Sequence, residues 1–399
     1  MAKVTLKPGH VQPVWAGHPW VYAQAVQRVE GGASAGDEVD VLDPRGNFLG
    51  RGLYNPASAI PVRLYTRQPG VAFDGALVTR RLAAAQQRRT VAGLPAPGTT
   101  GYRLVHADGD DLPGLVVDRF DDVLVVQFGT LGIKAREPLL LDALRATTGA
   151  STIIDRTSPA LARAEGFDAR SGVVHGHPLQ DGLSFTELGL EYRLPLGLGQ
   201  KTGFYFDQRP LRARVGQLAN GRRVLDTYSY VGALALAAAR GGAAEVQAVD
   251  NSVPALEVGA EIAQANGLHQ RISFVRSDAR EALARAGRQG GFDLVICDPP
   301  KLAPTRAARK RALGHMRQLA QLACQATTSG GLTILTSCSA ALDVQDVTRA
   351  LALGARDANL HVVVLDRVFQ GADHPVPAAF PEGLYLSTVI AQVTPRSLV

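Results

Sequence analysis

Cysteine is nearly absent from this chain. Its 399 residues hold three, Cys297, Cys324 and Cys338, all in the last third and none in C-x-x-C spacing. An odd, late-placed set excludes a disulfide framework and a cysteine-built zinc site, so no metal is expected. It fits a reducing compartment, and a cytoplasmic location is expected. Long apolar runs are also missing. The alanine-rich stretch after Gly232 comes closest, but Arg240, Gly241 and Gly242 interrupt it. Residues 1–17 have no apolar segment of the signal-peptide kind. Neither a targeting segment nor a membrane span is therefore expected. No internal repeat or low-complexity tract appears, which removes solenoids and disordered arrays from consideration.

What is present is ordinary for globular protein: 46% apolar and 20% charged residues, over a length that allows two or three cores. The net charge of +6 and a pI near 9.4 lean towards an anionic partner. Charge alone does not separate nucleic acid from an anionic metabolite.

Three segments differ in rhythm. Residues 1–72 alternate short strands and turns (Val39–Leu42, a turn at Asp43–Gly46, Phe48–Leu53, Ile60–Tyr65), which suggests a small β-barrel. Lys3, Lys7, Arg45, Arg51, Arg63 and Arg67 are interleaved there with Trp15, Trp20 and Tyr22, a mixture suited to stacking on exposed bases. Trp20 is equally suited to filling the small core. Residues 73–185 read as an α+β domain. It has a helix over Gly75–Val91, strands at Leu115–Arg119, Val123–Phe128 and Thr152–Asp155, and one helix over Ala135–Thr147. From 186 to 399 strand, turn and helix alternate: Val224-Leu225, Val246–Val249, helix Pro254–Asn266, Ile272–Val275, Phe292–Cys297 and Leu332–Thr336. That pattern means an α/β domain with a parallel sheet between helices, whose ligands bind beyond the carboxyl ends of the strands.

Acidic residues close those strands. Asp226 precedes the loop Thr227-Tyr-Ser-Tyr-Val-Gly232, where a glycine and a helix N-terminus admit a ligand carboxylate. Asp250 closes the next strand, placed for the two hydroxyls of a ribose. Asp278 follows the third and suits an adenine amino group. No G-x-G-x-x-G is present, so a dinucleotide lacks its phosphate cradle. A ligand with a ribose, an adenine and an amino-acid end but no phosphate fits better: S-adenosylmethionine. Strand-end aspartates also commonly cap the next helix, which is the plainer reading of any one of them.

Asp298-Pro299-Pro300-Lys301 carries a sharper signal. Two prolines stiffen the turn into a rim on which a planar base or amide can lie, bonded to Asp298. Cys338, in Thr336-Ser-Cys-Ser339 at the tip of a later strand, selects the atom. A thiolate adding to C6 of a pyrimidine makes C5 nucleophilic enough to take a methyl group. A buried structural cysteine is the competing reading. Strand alternation turns Cys297 away from the crevice and into the core, and Cys324 lies on an alanine- and leucine-rich helix. Two basic groups, Lys301, Arg306, Arg309, Lys310, Arg311 and Arg317, and Arg209, Arg212, Arg214, Arg222 and Arg223, are expected to meet phosphates.

These residues resemble a known family. Gln200-Lys-Thr-Gly-Phe-Tyr-Phe-Asp-Gln-Arg209, Tyr228-Ser-Tyr-Val-Gly232, Asp298-Pro-Pro-Lys301, Thr336-Ser-Cys-Ser339, Asp373-His-Pro-Val376 and Phe380-Pro-Glu-Gly-Leu-Tyr385 look like bacterial 23S rRNA 5-methylcytosine methyltransferases. His18-Pro-Trp-Val21 and Asp111–Phe120 match as well, so the resemblance runs through nearly the whole chain. It implies a PUA-like RNA-binding domain (1–72), an α+β linker domain (73–185) and a Rossmann-like class I methyltransferase domain (186–399). It also implies Cys338 as nucleophile and Asp298 as the residue that orients the base. Gln208, Asp226, Tyr228, Ser229, Gly232, Asp250, Asn251, Asp278, Ala279 and Asp298 are the expected cofactor residues. Pro299, Pro300, Lys301 and His374 are the expected substrate contacts. The expected partner is RNA, above all 23S rRNA, and a homodimer is possible. Two other readings stay open: methylation of an exocyclic base nitrogen, and an RNA-binding assembly factor without catalysis.

Overall fold

The structure is a computed structural model that describes residues 1–180, 182–198, 202–302 and 308–398. The chain divides into two compact units, Met1–Gly189 with Gly199–Phe206 and Ala372–Gly383, and Leu190–Leu198 with Asp207–Gly371 and Leu384–Val399.

In the first unit, six strands form the N-terminal sheet: β1 (Ala2–Leu6), β2 (Trp20–Val21), β3 (Val26–Glu30), β4 (Glu38–Leu42), β5 (Phe48–Tyr54) and β6 (Val62–Thr66). Their order is β2-β6-β5-β4-β1-β3, and Val4, Leu6, Val21, Val39, Val41 and Val62 make its core with the short helix α1 (Val11–Trp15). Helix α2 (Gly75–Val91) begins where the Asp74 side chain accepts the Leu77 N–H. A second sheet follows, with β7 (Gly101–His106), β8 (Leu115–Phe120), β9 (Val123–Phe128), β10 (Thr152–Arg156) and β11 (Ser171–His175) in the order β11-β10-β9-β8-β7. The single helix expected over Ala135–Thr147 is two: α3 (Leu131–Lys134), capped by Thr130, and α4 (Glu137–Thr148). Pro138 has no N–H for the Lys134 carbonyl and its ring crowds that carbonyl, so a continuous helix is interrupted and Pro138 falls in the first turn of the second. Helices α2 and α4 share one apolar cluster with the sheet (Leu77, Leu82, Leu140 and Leu144 against Leu104, Val117 and Val126). Helix α5 (Pro159–Glu165) and β12 (Leu183–Glu187) complete the unit.

After β13 (Leu190–Leu194), the second unit is built on the expected alternation: α6 (Arg209–Leu218), β14 (Arg223–Thr227), α7 (Ala233–Arg240), β15 (Glu245–Asp250), α8 (Val253–Ala265), β16 (Ile272–Arg276), α9 (Ala279–Arg288), β17 (Phe292–Cys297), α10 (Arg309–Ala326), β18 (Thr327–Ser337), α11 (Val344–Asp357), β19 (Leu360–Phe369) and β20 (Ser387–Pro395). Seven strands pair in the order β16-β15-β14-β17-β18-β20-β19. The first five are parallel, and their continuous buried runs, such as Leu294–Cys297, reflect cover on both faces. The sheet is not wholly parallel, however. Strand β20 inserts between β18 and β19 and runs antiparallel to both. The parallel strands all deliver their carboxyl ends to one rim. No helix among the described residues is long and apolar enough to cross a membrane.

Candidate active site

At that rim, β14 ends on Asp226, which is fully buried, and Asp226 Oδ2 accepts the Ala235 N–H of α7 at 3.0 Å. Burial, and then the charges of Asp298 and Asp250, raise its pKa well above the ordinary carboxylate range, against the pull of that N–H. The loop after it is strained: Tyr228, Tyr230 and Gly232 take φ of +61°, +55° and +72°. For the two tyrosines such backbone costs about 1–3 kcal/mol each, and persists only because the surroundings over-determine it. Tyr230 N–H is held by Asp250 Oδ2 at 2.9 Å, Ser229 N–H by the Val249 carbonyl at 3.0 Å, and Gly232 N–H by the Ser229 carbonyl at 2.8 Å. Asp250 Oδ1 accepts the Ser252 N–H at 2.9 Å, so each of its oxygens keeps one lone pair for a ligand hydroxyl.

Gly232 is the one position here where a side chain has no place. A Cβ would stand 2.8 Å from Phe274 Cε1, at a φ that side chains rarely adopt. Gly232→Ala is therefore expected to weaken cofactor affinity about tenfold or more and to lower Tm by several degrees, measured by calorimetric titration and thermal denaturation. Unchanged values in both would show that the loop carries no such constraint.

The remaining expected cofactor residues sit less deeply. Asn251 is exposed, and Ala279 is buried in the first turn of α9. Asp278 is exposed and its Oδ1 caps α9, accepting Arg280 and Glu281 N–H at 2.8 and 3.2 Å, which leaves Oδ2 for any adenine contact. Tyr228 is half-buried beside Cys297, its hydroxyl pushed up to about 12 by burial first and the neighbouring thiol second.

Asp298 follows β17. Its exposed area makes it only half-buried, yet protein surrounds it closely, and that burial together with the charge of Asp207 pushes its pKa up to about 7, opposed by Arg212. Gln208 Nε2 donates to Asp298 Oδ2 at 2.8 Å. Pro299 is buried, while Pro300 and Lys301 are exposed. Asp207 was not singled out in the sequence. It is buried, its Oδ2 accepts the Tyr385 hydroxyl at 2.7 Å, and its carbonyl accepts the Gly371 N–H at 3.0 Å. The only signal for it was its place in the Phe204–Arg209 motif.

Register places Cys338 beside this turn. Cys297 pairs with Leu335 on the adjacent parallel strand, so Asp298 stands level with Thr336, and Cys338 comes two residues further along, just past the end of β18. It is half-buried, whereas Cys297 and Cys324 lie fully inside the apolar cluster under the sheet, where desolvation pushes both thiols up to about 12. Those two are held as neutral thiols at physiological pH.

Both basic groups differ from expectation. Arg212 is buried (2% exposed) and acts on Asp298, Arg214 pairs with Asp366 at 2.9 Å, and Arg223 with Glu245 at 3.3 Å. In the other group, Arg309 pairs with Asp346 and Arg317 with Asp357, both at 2.6 Å, because α11 brings its carboxylates alongside α10. Charge counted along the sequence overstated the cations left for phosphate. Gln200, Lys201 and Arg306 lie outside the described residues. His374 belongs to the first unit, where it is buried (2% exposed), bonded to Asp373 at 3.1 Å and against the ring of His106.

Fold and site define an S-adenosylmethionine-dependent methyltransferase: the family model of that description matches residues 102–361, and a PUA-like domain model matches residues 4–67. Ribosomal RNA large subunit methyltransferase I proteins of Yersinia pestis and Yersinia pseudotuberculosis are each 36% identical to this chain, over 98% of it and 99% of their own length. The chain belongs to that family. Two solved structures share the fold at 19% identity, each over 98% of this chain and 100% of the other. One, a "putative methyltransferase complexed with SAH", superposes with a TM-score of 0.86, and the other, "a putative sam-dependent methyltransferase from Streptococcus mutans", with 0.85.

The residues present fit this cofactor. Four buried oxygens, Asp207 Oδ1, Gln208 Oε1, Asp226 Oδ1 and Ser229 Oγ, have no hydrogen-bond partner among the described residues. Each such atom is destabilising by about 1–3 kcal/mol unless something meets it. An ammonium, a sulfonium and ribose hydroxyls are the donors and positive charge that a rim of carboxylates would otherwise lack.

Proposed function

We propose that this enzyme methylates C5 of a cytosine in large-subunit ribosomal RNA, with Cys338 as the nucleophile. The observation that carries the reading is the pairing of a half-exposed thiol, one strand over and two residues beyond, with a carboxyl group whose pKa lies near neutrality. S-adenosylmethionine supplies an electrophilic methyl group, held by Asp226, Ser229, Gly232, Asp250 and Gln208, with Asn251, Asp278 and Ala279 on the adenosine side. Cys338 adds as thiolate to C6, and the electron density that this pushes onto the ring is met by a proton from Asp298 at N3. C5 thereby becomes enamine-like and takes the methyl group, after which a base removes the C5 proton, the Cys338 thiolate leaves C6 and N3 returns its proton to Asp298. Gln208 fixes the Asp298 carboxyl through Oδ2, leaving Oδ1 for the base, while Pro299 and Pro300 keep the turn rigid and Lys301 stands exposed beside it. The target nucleotide must leave its stack, since C6 is closed to a thiol inside a helix.

In this reading residues 1–72 dock the RNA as a PUA-like domain, 73–185 act as the linker domain and 186–399 perform the transfer. Mass-spectrometric nucleoside analysis of 23S rRNA from cells with and without the protein tests it. A 5-methylcytidine lost on deletion and restored by the intact gene is the expected result. Loss of an N-methylated nucleoside instead would reject the carbon chemistry while keeping the RNA.

A further inference from the structure

The motif Phe380-Pro-Glu-Gly-Leu-Tyr385 ends on a tyrosine with no direct part in the chemistry of transfer. In the second unit that tyrosine is anchored by the sheet. Strands β19 and β20 are paired up to Phe369 with Ser387, so Gln370 and Tyr385 stand just beyond the last rung. Gln370 Oε1 accepts the Tyr385 N–H at 3.1 Å, which fixes the tyrosine backbone against the strand end. The half-buried side chain then donates its hydroxyl to Asp207 Oδ2 at 2.7 Å. From the other end of the same connection, the Gly371 N–H donates to the Asp207 carbonyl at 3.0 Å. Asp207 is thus held twice, once by its backbone and once by its side chain.

The hold opposes a repulsion. Asp207 is buried and its charge acts on Asp298, the residue that follows β17. Two like charges in a site poor in water drive each other apart. Gln208 ties the backbone beside Asp207 to the Asp298 carboxyl, through Oδ2 at 2.8 Å. The Asp207 side chain depends on the tyrosine, because its other oxygen, Oδ1, meets no partner among the described residues. The remaining charged and titratable groups around Asp298 are Arg212 of α6, which opposes Asp207, Asp226 of β14 and the Cys297 thiol of β17. Those three sit on a helix or a strand, whose backbone sets their distance. Asp207 sits in the short turn before α6, where a side-chain bond has to do it.

We propose that Tyr385 is a positioning residue for methyl transfer, holding the Asp207 carboxylate against Asp298. The inference rests on the reading above for what the Asp298 proton does, and on the protein alone for how Asp298 is held. Tyr385→Phe removes only the hydroxyl. Asp207 then turns away from the like charge, and Asp298 ionises at lower pH. Carbon NMR on carboxyl-labelled aspartate in the ligand-free full chain reads this directly, with the Asp298 signal assigned by its loss in Asp298→Asn. The wild-type midpoint should lie at about 7. Tyr385→Phe should lower it by about half a unit, Asp207→Asn by more, and the double variant by no more than Asp207→Asn alone. The alkaline limb of the single-turnover rate should move down with it. A midpoint that Tyr385→Phe leaves in place overturns the proposal, even where Tm and rate both fall, since lost packing lowers those at every pH. A larger shift in the double variant than in Asp207→Asn also overturns it, because the tyrosine then acts by another route. If the midpoints shift as stated but the wild type forms no 5-methylcytidine in 23S rRNA, the carbon chemistry fails and the hold of Tyr385 on Asp298 stands.

Discussion

Cys338→Ala should abolish methyl transfer, by at least about a thousandfold, while S-adenosylmethionine still binds. The reason is electronic. C5 of cytosine is a poor nucleophile until something adds at C6, and no other thiol is placed to do so: Cys297 and Cys324 are fully buried and held protonated. Binding should survive because none of the oxygens that await the cofactor belongs to the Cys338 loop. RNA carrying 5-fluorocytidine gives an independent readout, since fluorine blocks removal of the C5 substituent and leaves the adduct in place. The wild type should form a complex with it that survives denaturing gels, and Cys338→Ala should form none. Turnover that is unchanged in the variant means nitrogen chemistry, which needs the Asp298 turn but no thiol. A wild type that gives no heat with S-adenosylmethionine means a protein that binds RNA without catalysis.

The second large effect belongs to Asp298. Replacing it by Asn should lower turnover by about 10²–10⁴-fold, the usual contribution of a positioned proton donor. The pH dependence gives the finer test. A carboxyl group with its pKa at about 7 is protonated below that value and ionised above it. If its proton is needed at N3, the single-turnover rate falls as pH rises through about 7. Asp207 supplies part of that elevated pKa, so Asp207→Asn should let Asp298 ionise at lower pH and carry the alkaline limb down with it. A merely structural defect would lower the rate at every pH without moving the limb. Thermal stability follows the same sign. The Asp298 and Asp226 carboxyls are both raised in the folded protein, so each favours folding most when protonated. The ligand-free enzyme should therefore lose stability as pH rises from about 4 through 7, measured as falling Tm.

Much of this was written in the order of the residues. The parallel alternation from Val224 onward, the aspartates at strand ends and the Asp298-Pro-Pro turn are local patterns, and local patterns survive folding: the ends of β17, α2 and β9 fall where periodicity and caps put them. A strand's end is legible because the residues that stop it lie next to it. The split of α3 from α4 was equally local, and Pro138 was the signal for it.

Sequence by itself thus determined the class of fold, the kind of ligand and the short set of residues at the rim. Tertiary structure decided which charges and which thiol are available, because availability depends on neighbours 37 to 178 positions away. Arg309 and Arg317 looked free until α11 set Asp346 and Asp357 against them. Arg212 looked like a phosphate contact until packing buried it near Asp298. Asp207 acquired its role only through Tyr385, 178 positions further on. Charge, burial and hydrogen bonding act through space, and no reading along the chain adds up fields from residues it has not yet brought together.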